Sequence, residues 1–273
     1  MGIHRSTRRA VLAAAAAATA LAARARAATT PVAVIGATAQ SAPEILRQAL
    51  AQGRRVTAVA RRPEAVTISH ANLTIMGGDV RDPDSLEAAL TGDEVVISLV
   101  GPRVDPRVEI QAMDLFSLGT ANIIAAMKKK GNKRLLPCSS IGIRNNPTEK
   151  PAGDDPRTMW VWNSRKLYAD MRAMERIVRA SGLEFVILRP GFLIDGPQTN
   201  SIELAVEDAM PPTAGPIVSF ADFAAFVLSL VDGDQYLGKA VATFSNVSTD
   251  WGKNLDYDKM WELRKSQGPI DVY

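Results

Sequence analysis

The chain has 273 residues, 47% of them hydrophobic and 22% charged. That balance suits a globular protein with a real core and argues against disorder outside the ends. The formal charge of +3 is misleading. Residues 1–27 hold five arginines (Arg5, Arg8, Arg9, Arg24, Arg26) and no acidic residue; the rest carries 27 basic against 29 acidic residues, a net −2. Such a body lacks the basic stripe that nucleic-acid binding needs. The run "KKKGNKR" (128–134) reads as a solvated helix end, where cations complement the helix dipole. Cys138 is the single cysteine, so no internal disulfide forms. His4 and His70 are the two histidines. A transition-metal site would need ligands that are nearly absent, so none is expected. A Ser-His-Asp hydrolase would have to rest on His70 in "TISHAN", and is not expected either.

The N-terminal stretch "STRRAVLAAAAAATALAARARA" has a positive start, an apolar run and a small-x-small end, "ARA" at 25–27. The run is too short and too Ala-rich to span a bilayer. Arg8 and Arg9 followed by Val11-Leu12 resemble a twin-arginine export signal. Cleavage after Ala27 and export of a folded protein, to a bacterial periplasm or a thylakoid lumen, would follow. An acid-free organelle transit peptide and a non-functional extension are the alternatives.

"PVAVIG" (31–36) reads as a buried parallel strand. "APEILRQALAQG" (42–53) has helical spacing at Ile45, Leu46, Ala49 and Leu50, and ends in Gly53. "RRVTAVARR" and "NLTIMGGD" are the second and third strands. "DPDSLEAALTG" opens a helix at Asp82-Pro83 and closes it at Gly92. "EVVISLVG" is a fourth strand, residues 108–130 are helical, and "KRLLPCSS" is a fifth strand. After a polar loop at 144–157, residues 159–181 are helical. "LEFVILRP" is a sixth strand, "SFADFAAFVLSLVDG" a late helix and "GKAVATFSN" a last strand. Alternating strands and helices mean βαβ crossovers and an α/β fold with a mainly parallel, doubly wound sheet. Residues 28–248 read as one domain, with a small C-terminal lobe from about 191 over the carboxyl edge of the sheet. Ligands bind at that edge in open α/β sheets. The tail 249–273, with Trp251, Tyr257 and Trp261 among charges, reads as an edge-covering helix with a flexible end, or as a partner-docking segment.

The first strand–helix turn carries Gly36, Ala39 and Ala42 at three-residue steps. Such a turn can hold a pyrophosphate on a helix N-terminus. Its spacing departs from Gly-x-Gly-x-x-Gly and is similar to the "GATG..G" turn of extended and atypical short-chain dehydrogenases. Alanine is tolerated at the third position, where only packing is needed. At the second, the methyl of Ala39 is expected to push a phosphate outward. Gly36, Thr38, Gln40 and Ser41 still offer backbone amides and polar side chains. Arg61 and Arg62 end the second strand, where an acidic residue would bond the ribose of NAD. An arginine pair suits the 2′-phosphate of NADP instead, unless the two are simply solvated loop residues. Asp79-Val80, Leu99-Val100-Gly101 and Ser139-Ser140 fall at the ends of the third, fourth and fifth strands, where a cofactor would lie.

The stretches "VAVIGAT", "VARRPEAV", "GGDVRD", "GTANIIAAMKKKGNKRLL", "YADMRAMERIVRASGLEFVILRPGFL" and "IVSFADFAAFVL" carry a resemblance over roughly residues 31–245. The chain resembles an atypical short-chain dehydrogenase/reductase of the NAD(P)H-binding, NmrA-like kind, close to flavin- and biliverdin-reductase-like members. The resemblance implies a Rossmann fold, NADP(H) at these strand ends, and a nicotinamide side shaped by Arg189, Pro190, Gly191 and Phe192. It also implies hydride transfer to a small planar acceptor: a flavin, a quinone or a carbonyl. Active members use Tyr-x-x-x-Lys, in which lysine lowers the pKa of the proton-donating tyrosine. Tyr168 stands 28 residues after Ser140, but Arg172 occupies the lysine position. Tyr168 is therefore either the proton donor or a packing residue. Trp160 and Trp162 flank the expected cleft and either stack on a planar substrate or pack the loop. Other members of the family are non-catalytic, acting as redox sensors or assembly factors, and that reading stays open beside the enzyme.

Overall fold

The computed structural model describes residues 29–102, 104, 105, 107–209 and 217–245. The expected targeting segment at 1–27 and tail at 249–273 lie outside the described residues.

Strand β1 (Val32–Ile35) is buried on both faces, as a continuous apolar run requires. Helix α1 (Ala42–Ala51) follows, with Pro43 and Glu44 in its first turn. Then come β2 (Val56–Ala60), β3 (Leu73–Gly77) and α2 (Pro83–Ala89). Asp82 caps α2 by accepting from the amides of Asp84 at 3.2 Å and Ser85 at 3.3 Å. After β4 (Val95–Ser98), helix α3 (Leu115–Lys130) runs to Gly131, whose φ of +90° ends it in a left-handed cap. Lys128, Lys129 and Lys130 fill its last turn, where the dipole favours them. β5 (Arg134–Pro137), α4 (Pro156–Asn163), α5 (Arg165–Arg179) and β6 (Glu184–Pro190) complete the parallel units. The chain continues through β7 (Phe192–Ile194), β8 (Ile202–Val206), β9 (Ile217–Ser219), α6 (Phe220–Asp232) and β10 (Lys239–Ser245).

The main sheet has the order β3-β2-β1-β4-β5-β6-β10-β8, and only β8 runs antiparallel to its neighbour. Chain order reverses between β1 and β4, which marks the switch point where a crevice opens. This is the doubly wound, mainly parallel sheet expected of the sequence. The segment after residue 190 divides: β10 and β8 extend the main sheet, while β7 and β9 form a separate parallel pair. Side chains alternate between two apolar layers. Val32 and Val34 face the layer of α1 and α6, and Ala33 and Ile35 face that of α2, α3 and α5.

Two helical readings are corrected. The helix expected over 108–130 begins at Leu115. Its start is fixed from outside: the buried Asp170 carboxylate on α5 accepts from the amides of Phe116 (2.8 Å) and Ser117 (3.2 Å). Residues 107–111 are instead strapped to the α4–α5 junction, with Ile110 N–H donating to Asn163 O at 3.0 Å. Glu109 pairs there with Arg165 and Lys166 at 2.6 and 3.0 Å. The helix expected over 159–181 is two helices joined at Ser164, which serves both as a cap.

The loop after β7 is tied down by Asp222, 1% exposed on α6. Its carboxylate accepts from Thr199 N–H (2.8 Å), Thr199 Oγ1 (2.7 Å), Asn200 N–H (3.2 Å) and Ser245 Oγ (2.6 Å). Burial works against its charge, but the hydrogen bonds from Ser245 and Thr199 outweigh burial and hold it below the ordinary aspartate value of 3.8. A depressed folded value means that the stabilisation is whole above the unfolded pKa. It is lost as the pH falls through the folded one. Asp222→Asn places an amide among these donors and is expected to destabilise by about 1–3 kcal/mol at neutral pH. Urea unfolding across pH should show that gap closing at acid pH, below the ordinary aspartate range.

Candidate functional site

The β1–α1 turn lies against the end of β4. Gly36 has φ +84°, and a Cβ there would stand 3.0 Å from the carbonyl carbon and oxygen of Leu99 and 3.1 Å from Val100 N. Only glycine meets both conditions without strain. Leu99 N–H donates to Ile35 O at 2.8 Å, which closes the junction. Within the turn, Gly36 and Ala37 both donate to Val59 O at 3.0 Å, and Ala39 N–H donates to Gly36 O at 2.9 Å. Among the described residues, the Thr38, Gln40 and Ser41 amides have no backbone partner. Ser41 is buried, and its hydroxyl makes no capping bond to α1. Donors are thus left over at a helix N-terminus, the arrangement that suits an anion. Ala39 is half-buried and packs against the layer beneath α1. Its methyl leans on the protein's own core, which weakens the expectation that it displaces a phosphate.

Arg61 and Arg62 are exposed just beyond β2. After β3, Asp79 accepts from Arg81 N–H at 2.9 Å, and its own amide donates to Ser85 Oγ at 3.0 Å. Val80 is buried against α3: a Cβ on Gly119 would come within 2.9 Å of Val80 Cγ2, and Asn122 Nδ2 donates to Val80 O at 2.8 Å. At β4 the Leu99 side chain is buried, Val100 is half-buried and Gly101 is exposed beside Phe116.

The two β5-end serines differ. Ser139 is 4% exposed, and its hydroxyl donates to Glu175 Oε1 at 2.7 Å. Ser140 Oγ accepts from Gly142 N–H at 3.0 Å and caps the 3-10 turn Ile141–Arg144. Cys138 lies beneath them, and burial pushes its thiol up to about 12, which removes it as a nucleophile at neutral pH. Tyr168 on α5 is buried over that 3-10 turn. A Cβ on Gly142 would meet its ring and hydroxyl at 2.4–2.5 Å. Arg172, one turn on, donates to Ile143 O (2.8 Å), Asn145 O (3.2 Å) and Asn146 Oδ1 (2.8 Å). It clamps the loop's exit, a task for which a fork is built and a lysine is not.

At the β6 end, Gly191 N–H donates to Thr243 O at 3.0 Å, and Pro190 stands in register with Thr243. Phe192 meets Trp160 edge-on, with ring centroids 6.0 Å apart. Trp162 is covered by the Arg165 guanidinium at 3.7 Å, so of the two tryptophans Trp160 is the one brought to the Phe192 side. The sequence reading missed Glu175 and Asp222: nothing in their spacing distinguishes a buried carboxylate from a surface one.

A concavity of about 470 Å³ lies at the opposite, amino edge of the sheet, between Thr30, Glu94, Arg134 and Asp232. Arg134 and Asp232 there make structural bonds. Arg134 donates to the carbonyls of Leu230, Val231 and Gly233 that end α6, and Arg54 pairs with Asp232 at 2.6 Å. The crevice at the switch point opens at the other, carboxyl edge. Among the described residues no group of three His, Cys, Asp or Glu gathers for a metal, and no helix is long and apolar enough to cross a membrane.

Gly36→Ala adds a strained φ and a backbone clash, together costing about 1–3 kcal/mol. It is expected to lower the melting midpoint and to weaken nicotinamide-dinucleotide binding in calorimetric titration.

The NAD(P)H-binding family matches residues 36–234. An uncharacterized chloroplastic protein of Arabidopsis thaliana is 29% identical over 194 residues, 67% of this chain and 66% of that one. The photosystem II assembly factor Ycf39 of Synechocystis is 31% identical over 106 residues, 38% of this chain and 32% of that protein. The chain therefore spans a little under two thirds of the first relative and about a third of the second. In three dimensions it resembles a short-chain dehydrogenase/reductase from Veillonella parvula solved with NADP. The TM-score is 0.59 at 21% identity, over 80% of this chain and 95% of that one. With its glycine turn at the switch point of a doubly wound sheet, the chain belongs to the NAD(P)H-binding family.

Proposed function

We propose that the chain is an NADP(H)-dependent oxidoreductase that passes hydride to a small planar acceptor, a flavin, quinone or carbonyl. The observation that carries this reading is the turn at Gly36, whose backbone packs on Leu99 while the Thr38, Gln40 and Ser41 amides remain unspent. Those amides and the α1 N-terminus would receive the pyrophosphate. Arg61 and Arg62 would grip the 2′-phosphate in a way that NAD cannot repay. The Veillonella neighbour, solved with NADP, supports this choice. Asp79 and the Val80 N–H set an acceptor beside a donor, the pattern that an adenine edge offers in reverse. Bound in this place, the dihydronicotinamide supplies the hydride.

The chain's own residues then orient and shield. Leu99, Val100 and Gly101 form the floor at the β4 end. Ser140, Pro190, Gly191 and Phe192 border the nicotinamide half, and Trp160 extends that wall. Ser139 contributes from beneath, because its hydroxyl is held by Glu175. A proton from Tyr168 would have to leave a hydroxyl packed on Gly142, with Arg172 at the lysine position engaged elsewhere. Acceptors that take their proton from water, flavins and quinones, suit this arrangement better than simple ketones.

A second reading is a non-catalytic NADP-binding scaffold, redox sensor or assembly factor. The engaged Arg172 favours it, as does similarity to a photosystem II assembly factor. A twin-arginine-like leader would carry the chain out of the compartment where NADPH is regenerated, which also fits this reading. Titration with NADPH and NADH, followed by turnover with flavins, quinones and aldehydes, separates the readings. We expect NADPH preference, lost in the Arg61→Ala plus Arg62→Ala variant, and flavin- or quinone-dependent oxidation unaffected by Tyr168→Phe. NADPH binding without turnover would favour the scaffold. Equal affinity for both cofactors would remove the role given to the arginine pair.

A further inference from the structure

Beneath the nicotinamide half of the candidate site lies a buried ion pair that neither the glycine turn nor the arginine pair explains. Arg189 donates through Nε to Glu175 Oε1 at 2.9 Å and through Nη2 to Glu175 Oε2 at 2.6 Å. Ser139 Oγ donates to the same Oε1 at 2.7 Å. Ser139, Glu175 and Arg189 are 4%, 4% and 6% exposed. Arg189 Nη1 also donates to Glu207 O at 3.0 Å, and Glu207, at φ +56°, is held by Arg179 and by Ala240 N–H. Burial works against the Arg189 charge, but Glu175 outweighs it and holds the guanidinium above its ordinary value.

Drying two charges costs about as much as their attraction returns, so a buried pair is poorly explained by stability alone. What this pair does fix is geometry. One carboxylate holds three elements: the end of β5 through Ser139, the end of β6 through Arg189, and α5 itself. Arg189 immediately precedes Pro190, Gly191 and Phe192. Glu175 follows Tyr168 by seven residues, two helical turns, on the buried face that also carries Met171 and Val178. A carboxylate pinned at Glu175 therefore sets the rotation of α5 about its axis, and with it how Tyr168 meets Gly142. Two parallel N–H···O bonds define that rotation more sharply than a point contact would.

We propose that Glu175 and Arg189 are positioning residues for the nicotinamide half of the site, retained for the arrangement they impose on Ser140, Tyr168 and Pro190–Phe192. The proposal rests on the reading that NADP(H) lies along these strand ends. Its test uses the full chain, with NADPH and 2′,5′-ADP as probes; 2′,5′-ADP fills only the adenosine half. The double variant Glu175→Met plus Arg189→Met removes both charges at similar volume. It should keep its melting midpoint and its 2′,5′-ADP affinity, and lose NADPH affinity by on the order of tenfold, as displaced positioning groups do. Without any ligand, amide hydrogen exchange at 140–146 and 191–194 should quicken while the β1 and β4 amides stay protected. Unchanged NADPH affinity and exchange would overturn the proposal. So would a fall in both affinities together with the melting midpoint, which is the mark of a purely structural pair. If the double variant does not fold, Glu175→Asp keeps the charge and withdraws the fork by one methylene. It should weaken NADPH alone, and no change would overturn the proposal. A wild-type chain that binds neither probe would instead sink the cofactor reading itself.

Discussion

The molecule is organised around one backbone contact, the approach of Gly36 to Leu99 and Val100. Strands β1 and β4 are parallel neighbours, but the chain order reverses between them, so the connections leaving their carboxyl ends diverge and leave a gap there. The turn leaving β1 can cross the mouth of that gap only if it carries no side chain and turns with positive φ. Gly36 satisfies both conditions, with a would-be Cβ only 3.0 Å from Leu99 backbone atoms. Because the turn stays low, α1 starts at the crevice with the Thr38, Gln40 and Ser41 amides without backbone partners. The fold thus leaves backbone donors over at a helix N-terminus, an arrangement that suits an anion.

The two edges of the sheet are put to different uses. At the amino edge, arginines finish helices: Arg134 satisfies the last carbonyls of α6 and pairs with Glu184 and Asp234. Its donors are consumed, so the concavity there is a by-product of capping. At the carboxyl edge the arginines hold loops. Arg172 clamps the exit of the 3-10 turn, Arg144 donates to the carbonyls of Asp208 and Ala209, and Arg189 holds Glu207. A fork with several donors suits a loop that offers several carbonyls. Rigid loops on a rigid sheet are what a site needs if it works by orientation.

The strands were legible because a buried parallel strand is an unbroken apolar run, and β1, β4 and β6 are such runs. The helix stops were legible at Gly53 and Gly131, both with positive φ. Two things were not. The start of α3 depends on Asp170, 53 or 54 positions away in the chain, a tertiary contact with no local trace. The short strands β7, β8 and β9 run three to five residues and gain their order from partners, too brief for periodicity to register. At the site, residue types were legible but their commitments were not. Ser139 and Ser140 are neighbours in sequence, yet one hydroxyl is locked under the sheet edge and the other caps a turn. In sequence they look alike.

Arg172 shows the same limit with more consequence. By spacing it replaces the lysine of a Tyr-x-x-x-Lys pair, and its charge alone would let it stand in. Its geometry does not. A lysine serves such a pair as a point charge free to reach the tyrosine and the ribose, whereas this guanidinium is spread over Ile143 O, Asn145 O and Asn146 Oδ1. Burial and the nearby Arg176 also lower its pKa, so the surroundings give it no surplus of negative charge to lend. At this position the guanidinium serves the rigidity of the loop. The chain thus keeps the glycine turn and sheet of an NAD(P)H-binding fold while the cation one turn after Tyr168 is committed to a loop.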